Sequence, residues 1–361
     1  MNLPLIPAFS PGGAEGGRRP VEGGAEPKLE NATKREHSRG VHSLADMAGR
    51  HAAIRRAVTP LPGSQPRDHF KPINIPGECD GLTLLAALER MVWNVSAAEW
   101  QAEFARGRVV SWEQRPVAAT QLVRAGQRYQ HLFLNVTEPE VNGAVEILHE
   151  DAALIVVNKP APLPMHAGGR YYLNTLQHIL NTVYHPQSPH PAHRLDAHTT
   201  GLVLVARTRQ FAGQLQSQFA QGQVQKTYFA RVRGELPADE FYCDAPISAG
   251  AGEQCSRTVD PEHGLAARTE FRVRRRGADG TNLLEVRPLT GRTNQIRVHL
   301  WHLGLPVLGD TVYLPGQQLR RTPPPAVGEP PLCLHAAWVR FLHPLSREPV
   351  EFTAPLPAWA K

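Results

Sequence analysis

From residue 143 onward, hydrophobic and polar positions follow two periods, and together they predict short strands and helices that do not alternate strictly. Val145–Leu148 and Leu154–Val157 read as buried strands, and Thr175–Val183 as a helix with Asn174 available as its cap. Gly201–Ala206 is an aliphatic run of buried-strand type. Phe211–Phe219 reads as a helix ended near Gly222, and Val224–Val232, with Tyr228 inside, as a strand. Asn282–Arg287 is a further strand, after which Gln295–Leu303 sets Ile296, His299, Leu300 and Leu303 on one helical face. Pro323–Pro325 mark a loop insertion before last strands near Leu334 and Phe352. This order predicts one α+β domain over 143–361, built on a mixed, largely antiparallel sheet.

Residues 71–142 predict a separate small α/β domain in the order helix, helix, strand. Leu82, Leu84, Leu85 and Leu88 mark one amphipathic face, and Ser96 with Glu99 forms a capping box ahead of Trp100 and Phe104. Gly107 ends that helix and Val109–Val110 begins a strand. Residues 1–70 differ: glycine pairs, mixed charge from Lys28 to Arg39, then Pro60, Pro62 and Pro66. Such a segment buries too little apolar surface to offset its ordering entropy, so a mostly disordered arm is expected, with room for a short helix near Leu44–Val58.

Charge sharpens this division. The chain of 361 residues carries a net charge of +6, and only six of its 39 basic residues are lysine. The balance is +3 over 1–70 (10 basic against 7 acidic), −1 over 71–142 (7 against 8) and +4 over 143–361 (22 against 18). Arginine's planar fork suits phosphate oxygens, which admits a polyanionic partner. The densest patch is Arg268, Arg272, Arg274, Arg275 and Arg276 on an edge-type strand, readable also as a plain solvated face. No run approaches the ~18 apolar residues of a membrane span. Met1–Phe9 lacks the features of a secretory signal, and Cys79, Cys243, Cys255 and Cys333 form no CxxC pair. Free thiols and a cytoplasmic address are expected.

Chemistry enters with His193-Arg194-Leu195-Asp196, which leads through Thr199, Thr200 and Gly201 into the buried strand. A carboxylate in that turn is either a cap accepting backbone N–H groups or a reactive group at a strand's lip. Other segments accompany it in order: Val157-Asn158-Lys159-Pro160 with His166; Lys226-Thr227-Tyr228; Thr290-Gly291-Arg292-Thr293-Asn294-Gln295-Ile296-Arg297, running on to Gly304, Gly309 and Asp310; and Leu334-His335-Ala336 with His343-Pro344 and Ala354–Pro357. Over about residues 145–357 the chain resembles the RluA-like family of RNA pseudouridine synthases. Residues 71–142, with Ser96, Gln101, Phe104, Gly107, Val109 and Val123–Gly126, resemble in part an S4 RNA-binding domain, but Ala97 and Glu99 replace its usual basic pair.

The resemblance implies isomerisation of uridine to pseudouridine in ribosomal or transfer RNA, by a monomer, with no cofactor and no metal. Asp196 then matches the catalytic aspartate, Arg297 its ion-pair partner and Tyr228 the ring against the uracil. Arg194 matches a residue that helps extrude the base, with Lys226, Arg292 and Gln295 as further substrate contacts. Asn294, Thr200 and Pro162 depart from the family's usual histidine, serine and glycine. Three other readings compete. A metal hydrolase would draw on His185, His190, His193, His198, His299 and His302, which lack metal-site spacing. A glycosidase needs a second carboxylate, for which the motifs offer only Asp310, a turn-closing candidate. A non-catalytic RNA-binding module would lack one of Asp196, Tyr228 or Arg297.

Overall fold

A computed structural model describes residues 44–92, 95–250, 256–319, 327–328 and 331–361. The arm before residue 44, Cys255 and the Pro323–Pro325 insertion lie outside the described residues.

The chain from Arg67 to Val136 folds as a small unit. Strands β1 (Arg67–Asn74), β2 (Val109–Ser111) and β3 (Arg128–Val136) form an antiparallel sheet in the order β1-β3-β2. Against it pack α2 (Leu84–Met91) and α3 (Ala97–Ala105), following α1 (Leu44–Ala57) in the chain. The Ser96–Glu99 capping box is present, and Gly107 leaves the helix at φ +65. Leu84, Leu88 and Trp100 fill the small core.

The larger unit holds a ten-stranded sheet. Its strands are β4 (Glu146–Glu150), β5 (Leu154–Lys159), β6 (His190–Pro191), β7 (Thr200–Ala206), β8 (Gln225–Arg233), β9 (Glu240–Cys243), β10 (Thr269–Arg276) and β11 (Thr281–Pro288). After the short ribbon of β12 (Tyr313–Leu314) and β13 (Gln318–Leu319) come β14 (Leu334–Leu342) and β15 (Pro349–Thr353). The order is β4-β5-β7-β14-β8-β11-β10-β9, with β15 on β14 and β6 on β7. Among the described residues every pairing is antiparallel except β7 with β14, so the sheet is mixed and largely antiparallel. Helices α4 (Leu176–Tyr184), α5 (Arg209–Ala220) and α6 (Gln295–His302) complete the unit. One core gathers β4, β5 and β7 with α4 and α5; a second gathers β8, β10 and β11 with α6. Tyr228 packs against both.

The short helix allowed near Leu44–Val58 is α1: its Ile54 is buried in the first core, and the His51 ring accepts the Ile147 N–H at 2.9 Å. Its apolar partners come from the larger unit, which local composition does not report. Two expectations need correction. The cap of α4 is Thr175, whose hydroxyl accepts the His178 N–H, while the Asn174 amide is taken by Gly63 N and Pro139 O. Finally, β10 is no edge strand, because β9 pairs with Thr269–Arg272.

The parallel junction is tight. Gly201 lies opposite Ala336, and Ala336 lies opposite Tyr228 on its other side. A Cβ on Gly201 would stand 2.2 Å from the Ala336 carbonyl oxygen, and its φ of +107 is one that L residues rarely adopt. Gly201→Ala is therefore expected to lower stability by about 3 kcal/mol or more in urea titrations. Gly213→Ala in α5, where nothing stands within 4 Å, should instead be neutral or raise stability by up to about 1 kcal/mol. Equal midpoints for the two variants would refute the steric account.

Candidate active site

The His193–Thr199 turn enters β7 at that junction, and two buried groups shape it. Lys159, at the end of β5, is fully buried and its Nζ donates to Pro160 O and Leu163 O at 2.9 Å and to Ala197 O at 3.1 Å. Burial pushes its pKa down to about 7, with the Asp196 charge opposing. The His193 ring accepts the Leu204 N–H at 3.1 Å, and burial, then Lys226, pushes its pKa down to about 3. It is a neutral structural acceptor. Leu195 points into the core, leaving Arg194 exposed and Asp196 partly exposed.

Arg297, on α6, faces this turn. Its Nη1 donates to Asp196 Oδ2 at 2.9 Å and to Asn294 Oδ1 at 3.3 Å. Nε and Nη2 donate to the two oxygens of Asp310 at 2.7 and 2.8 Å. Asp310 also accepts the N–H groups of Val312 and Tyr313, so it closes a turn as well as clamping the guanidinium. Burial disfavours the Arg297 charge, yet the Asp310 bonds and then Asp196 outweigh it and hold the pKa above its ordinary value. Asn294 starts α6 at φ 58, the left-handed region that asparagine tolerates.

The two carboxylates differ in freedom. The Asp310 side chain is 1% exposed and that of Asp196 is 25%. Among the described residues, Asp196 Oδ1 accepts no hydrogen bond. It opens on a cavity of about 620 Å³ lined also by Arg194, Lys226, Tyr228, Arg292 and Gln295. Tyr228 presents its ring there, and burial, then Asp196, holds its hydroxyl protonated well above the usual tyrosine range. Lys226, whose pKa burial lowers, pairs with no carboxylate among the described residues.

Every sequence-derived site residue thus lines one cavity, with different tasks available to each. Gln295 is spent on the protein: its carbonyl accepts Thr290 Oγ1 and Arg292 N, and its amide donates to Arg268 O and Thr269 Oγ1. It braces the loop. Arg292 donates from Nε to Ala266 O and keeps the rest of its fork exposed. The roles of Asp310 and Lys159 were not read from sequence. The only available signals were an aspartate after Gly309 and a lysine ending an apolar strand. Among the described residues no His, Cys, Asp or Glu cluster could hold a metal. Asp310 also fails as the second carboxylate of a glycosidase, because both its oxygens are engaged and sealed from the cavity.

If Asp310 holds the arginine and Asp196 is held ready by it, their amide variants should separate. Asp310→Asn is expected to cost about 3 kcal/mol in denaturant unfolding, since it breaks a buried pair. Asp196→Asn should stay within about 1 kcal/mol of wild type. The reverse ranking would make Asp196 the structural carboxylate. A pH effect arises nearby: His335 shares a hydrogen bond of 2.8 Å with Thr200 beside the junction. Burial pushes its pKa from 6.5 down to about 4. The unfolded chain binds a proton that the folded one refuses, so stability falls as pH drops from 6.5 toward 4. Each such histidine contributes up to about 1.4 kcal/mol per pH unit. His335→Gln should flatten that slope in urea midpoints read across the range; an unchanged slope would exclude His335 as its source.

Comparison with known proteins accords with this geometry. The RNA pseudouridylate synthase family model matches residues 153–302. The dual-specificity RNA pseudouridine synthase RluA of Pasteurella multocida is 32% identical over 219 residues, covering 60% of this chain and 95% of that protein. The ribosomal large subunit pseudouridine synthase D of Nitrosomonas europaea is 33% identical over 311 residues, covering 82% of this chain and 87% of its own length. Human pseudouridylate synthase RPUSD2 is 34% identical over 218 residues, which are 60% of this chain but 39% of the human protein. The chain belongs to the RluA-like family of RNA pseudouridine synthases.

Proposed function

We propose that this protein isomerises specific uridines of ribosomal or transfer RNA to pseudouridine, with Asp196 as the reacting carboxylate. One observation carries the reading: Asp196 has one oxygen oriented by Arg297 and the other free, at the floor of a cavity that also holds an aromatic ring. In the reaction the N1–C1′ bond breaks, the detached uracil turns, C5 bonds to C1′, and the proton lost from C5 is balanced by one gained at N1. Asp196 starts it as nucleophile or base. Tyr228 gives the neutral base an apolar platform with a polar tip. Arg194 and Lys226 supply charge for an extruded nucleotide's phosphates, and Arg292 for its neighbour. The name of synthase D supports ribosomal RNA as a substrate, and that of RluA supports RNA.

The small unit is read here as an S4-like module, supported by its capped helix pair laid on a three-stranded sheet. The reading extends to a cytoplasmic monomer. Three buried free thiols, Cys79, Cys243 and Cys333, support the cytoplasmic address. No described helix is long and apolar enough to cross a membrane.

Carbodiimide-induced reverse-transcription stops, mapped in RNA from cells with and without the gene, test the activity directly. Sites that disappear with the gene and return when purified protein is added are the expected result; identical maps would reject the assignment. Asp196→Asn should retain RNA affinity within a few-fold and less than about 1% of turnover, a barrier increase above about 2.7 kcal/mol. Greater residual turnover would remove Asp196 from the chemistry. Tyr228→Phe is expected to rearrange the base yet release tritium from C5-labelled uridine at least ~10²-fold more slowly, because it loses a proton-handling hydroxyl. Near-wild-type rates of both steps would leave the ring as a platform alone.

A further inference from the structure

The outward face of β9, β10 and β11 is a charge ladder that changes character toward the cavity. Toward the far end three of its arginines are closely paired: Arg276 with Asp239 at 2.6 Å, Arg272 with Glu240 at 3.0 Å, and Arg274 with Glu285, which Arg287 shares. At the near end Arg268 reaches its nearest carboxylate, Glu270, only at 3.9 Å. Its guanidinium lies instead 4.7 Å from the centroid of the Tyr242 ring. Tyr242 is 55% exposed, an unusual position for a large ring on an otherwise charged face. It forms one wall of a second cavity, of about 360 Å³, with Arg287 and Glu270 among its polar lining.

This end of the ladder is fastened to the cavity that holds Asp196. Arg268 O accepts the Leu289 N–H at 2.9 Å and the Gln295 side-chain amide at 3.0 Å, and Arg268 N donates to Thr290 Oγ1 at 2.9 Å. Leu289, Thr290 and Gln295 all line the first cavity, and Leu289 is 50% exposed. An exposed ring, an exposed leucine and an arginine only loosely paired with Glu270 therefore continue the cavity wall onto the outer face. We infer that Tyr242, Arg268 and Leu289 form a second RNA subsite, on which a base flanking the target nucleotide stacks against Tyr242 while Arg268 meets its phosphate. The occupant is single-stranded RNA because a single-stranded nucleic acid offers a flat apolar face beside each charge, matching ring and guanidinium at once, and the strand proposed to enter the adjoining cavity is RNA. The inference rests on the proposed reading of the cavity as the site of uridine isomerisation.

The test uses the full chain and a fluorescein-labelled oligouridylate of about ten nucleotides, followed by anisotropy. Tyr242→Ala is expected to weaken binding about tenfold or more, and Tyr242→Phe to leave it within about twofold, because stacking needs the ring and not the hydroxyl. Arg268→Gln should flatten the slope of log affinity against log salt by about 0.7, the value of one single-strand phosphate contact. Circular dichroism and unfolding midpoints matching wild type confirm that the exposed substitutions leave the fold intact. Wild-type affinity in Tyr242→Ala, an unchanged salt slope in Arg268→Gln, or no binding of the probe by the wild type would each overturn the subsite. Pseudouridine formation by the wild type is scored separately: activity with an indifferent Tyr242→Ala overturns the subsite alone. Inactivity with intact Tyr242-dependent binding overturns the isomerase reading alone.

Discussion

The Ala336 carbonyl oxygen lies where any side chain on residue 201 would have to stand. That single exclusion lets a parallel pair form in the middle of an otherwise antiparallel sheet, and the site's geometry follows from it. With Gly201, Ala336 and Tyr228 side by side on three adjacent strands, the turn carrying Asp196 and the strand carrying Tyr228 are one strand apart. A sheet with strictly antiparallel neighbours would reverse β7 and carry the turn to its opposite end. Because Tyr228 packs against both cores, its ring is fixed by the same packing that joins the two halves of the domain. Such rigidity suits the platform role proposed for Tyr228, in which a base is held after its covalent bond is broken.

Charge in the site is balanced locally. Asp196 and Asp310 are both held by Arg297, with Lys159 buried beneath the turn, all largely withdrawn from water. Desolvation on this scale costs several kcal/mol per ion unless geometry is favourable, and here every donor of Lys159 and three nitrogens of Arg297 are engaged. The arrangement fixes Asp196 without covering it, since Asp310 takes the two-pronged contact and leaves Nη1 of Arg297 for Asp196 and Asn294. Preorganisation of this kind puts the cost of ordering into folding, ahead of substrate arrival.

Much of this was legible in the sequence because the signals were local. The Ser96–Glu99 capping box, the aliphatic run of β7 and the 3.6-residue period of α5 each depend on neighbours within a few positions, and each formed near its expected bounds. Asp196, Tyr228 and Arg297 could be placed in one site because separated motifs in fixed order resembled a family. What escaped was non-local. A helix near Leu44–Val58 is legible, but its docking is not, because Ile54 finds its partners about a hundred residues away. Asp310 reads as a turn residue, and it is one, but its second task depends on an arginine thirteen positions earlier that only tertiary structure brings alongside. The cover that β9 gives β10 is likewise invisible to a period-two pattern, which cannot say how many partners a strand has.

The net charge of +6 was ambiguous for a related reason: it sums cations whose surroundings differ. Where a carboxylate sits within about 3 Å, as for Arg272, Arg276 and Arg287, the field seen by a polyanion is that of a dipole and dies away quickly. Where none does, as for Lys226 and Arg292, the charge is felt out to the Debye length of about 8 Å at physiological salt. These two cations line the Asp196 cavity and Arg268, loosely paired with Glu270 at 3.9 Å, lies beside it, while Arg272 and Arg276 are closely paired toward the far end of the same strands. The chain's positive character is thus an uneven field directed at the Asp196 cavity. Uniform basicity would attract RNA to the whole surface; this distribution favours strands already aligned with the site.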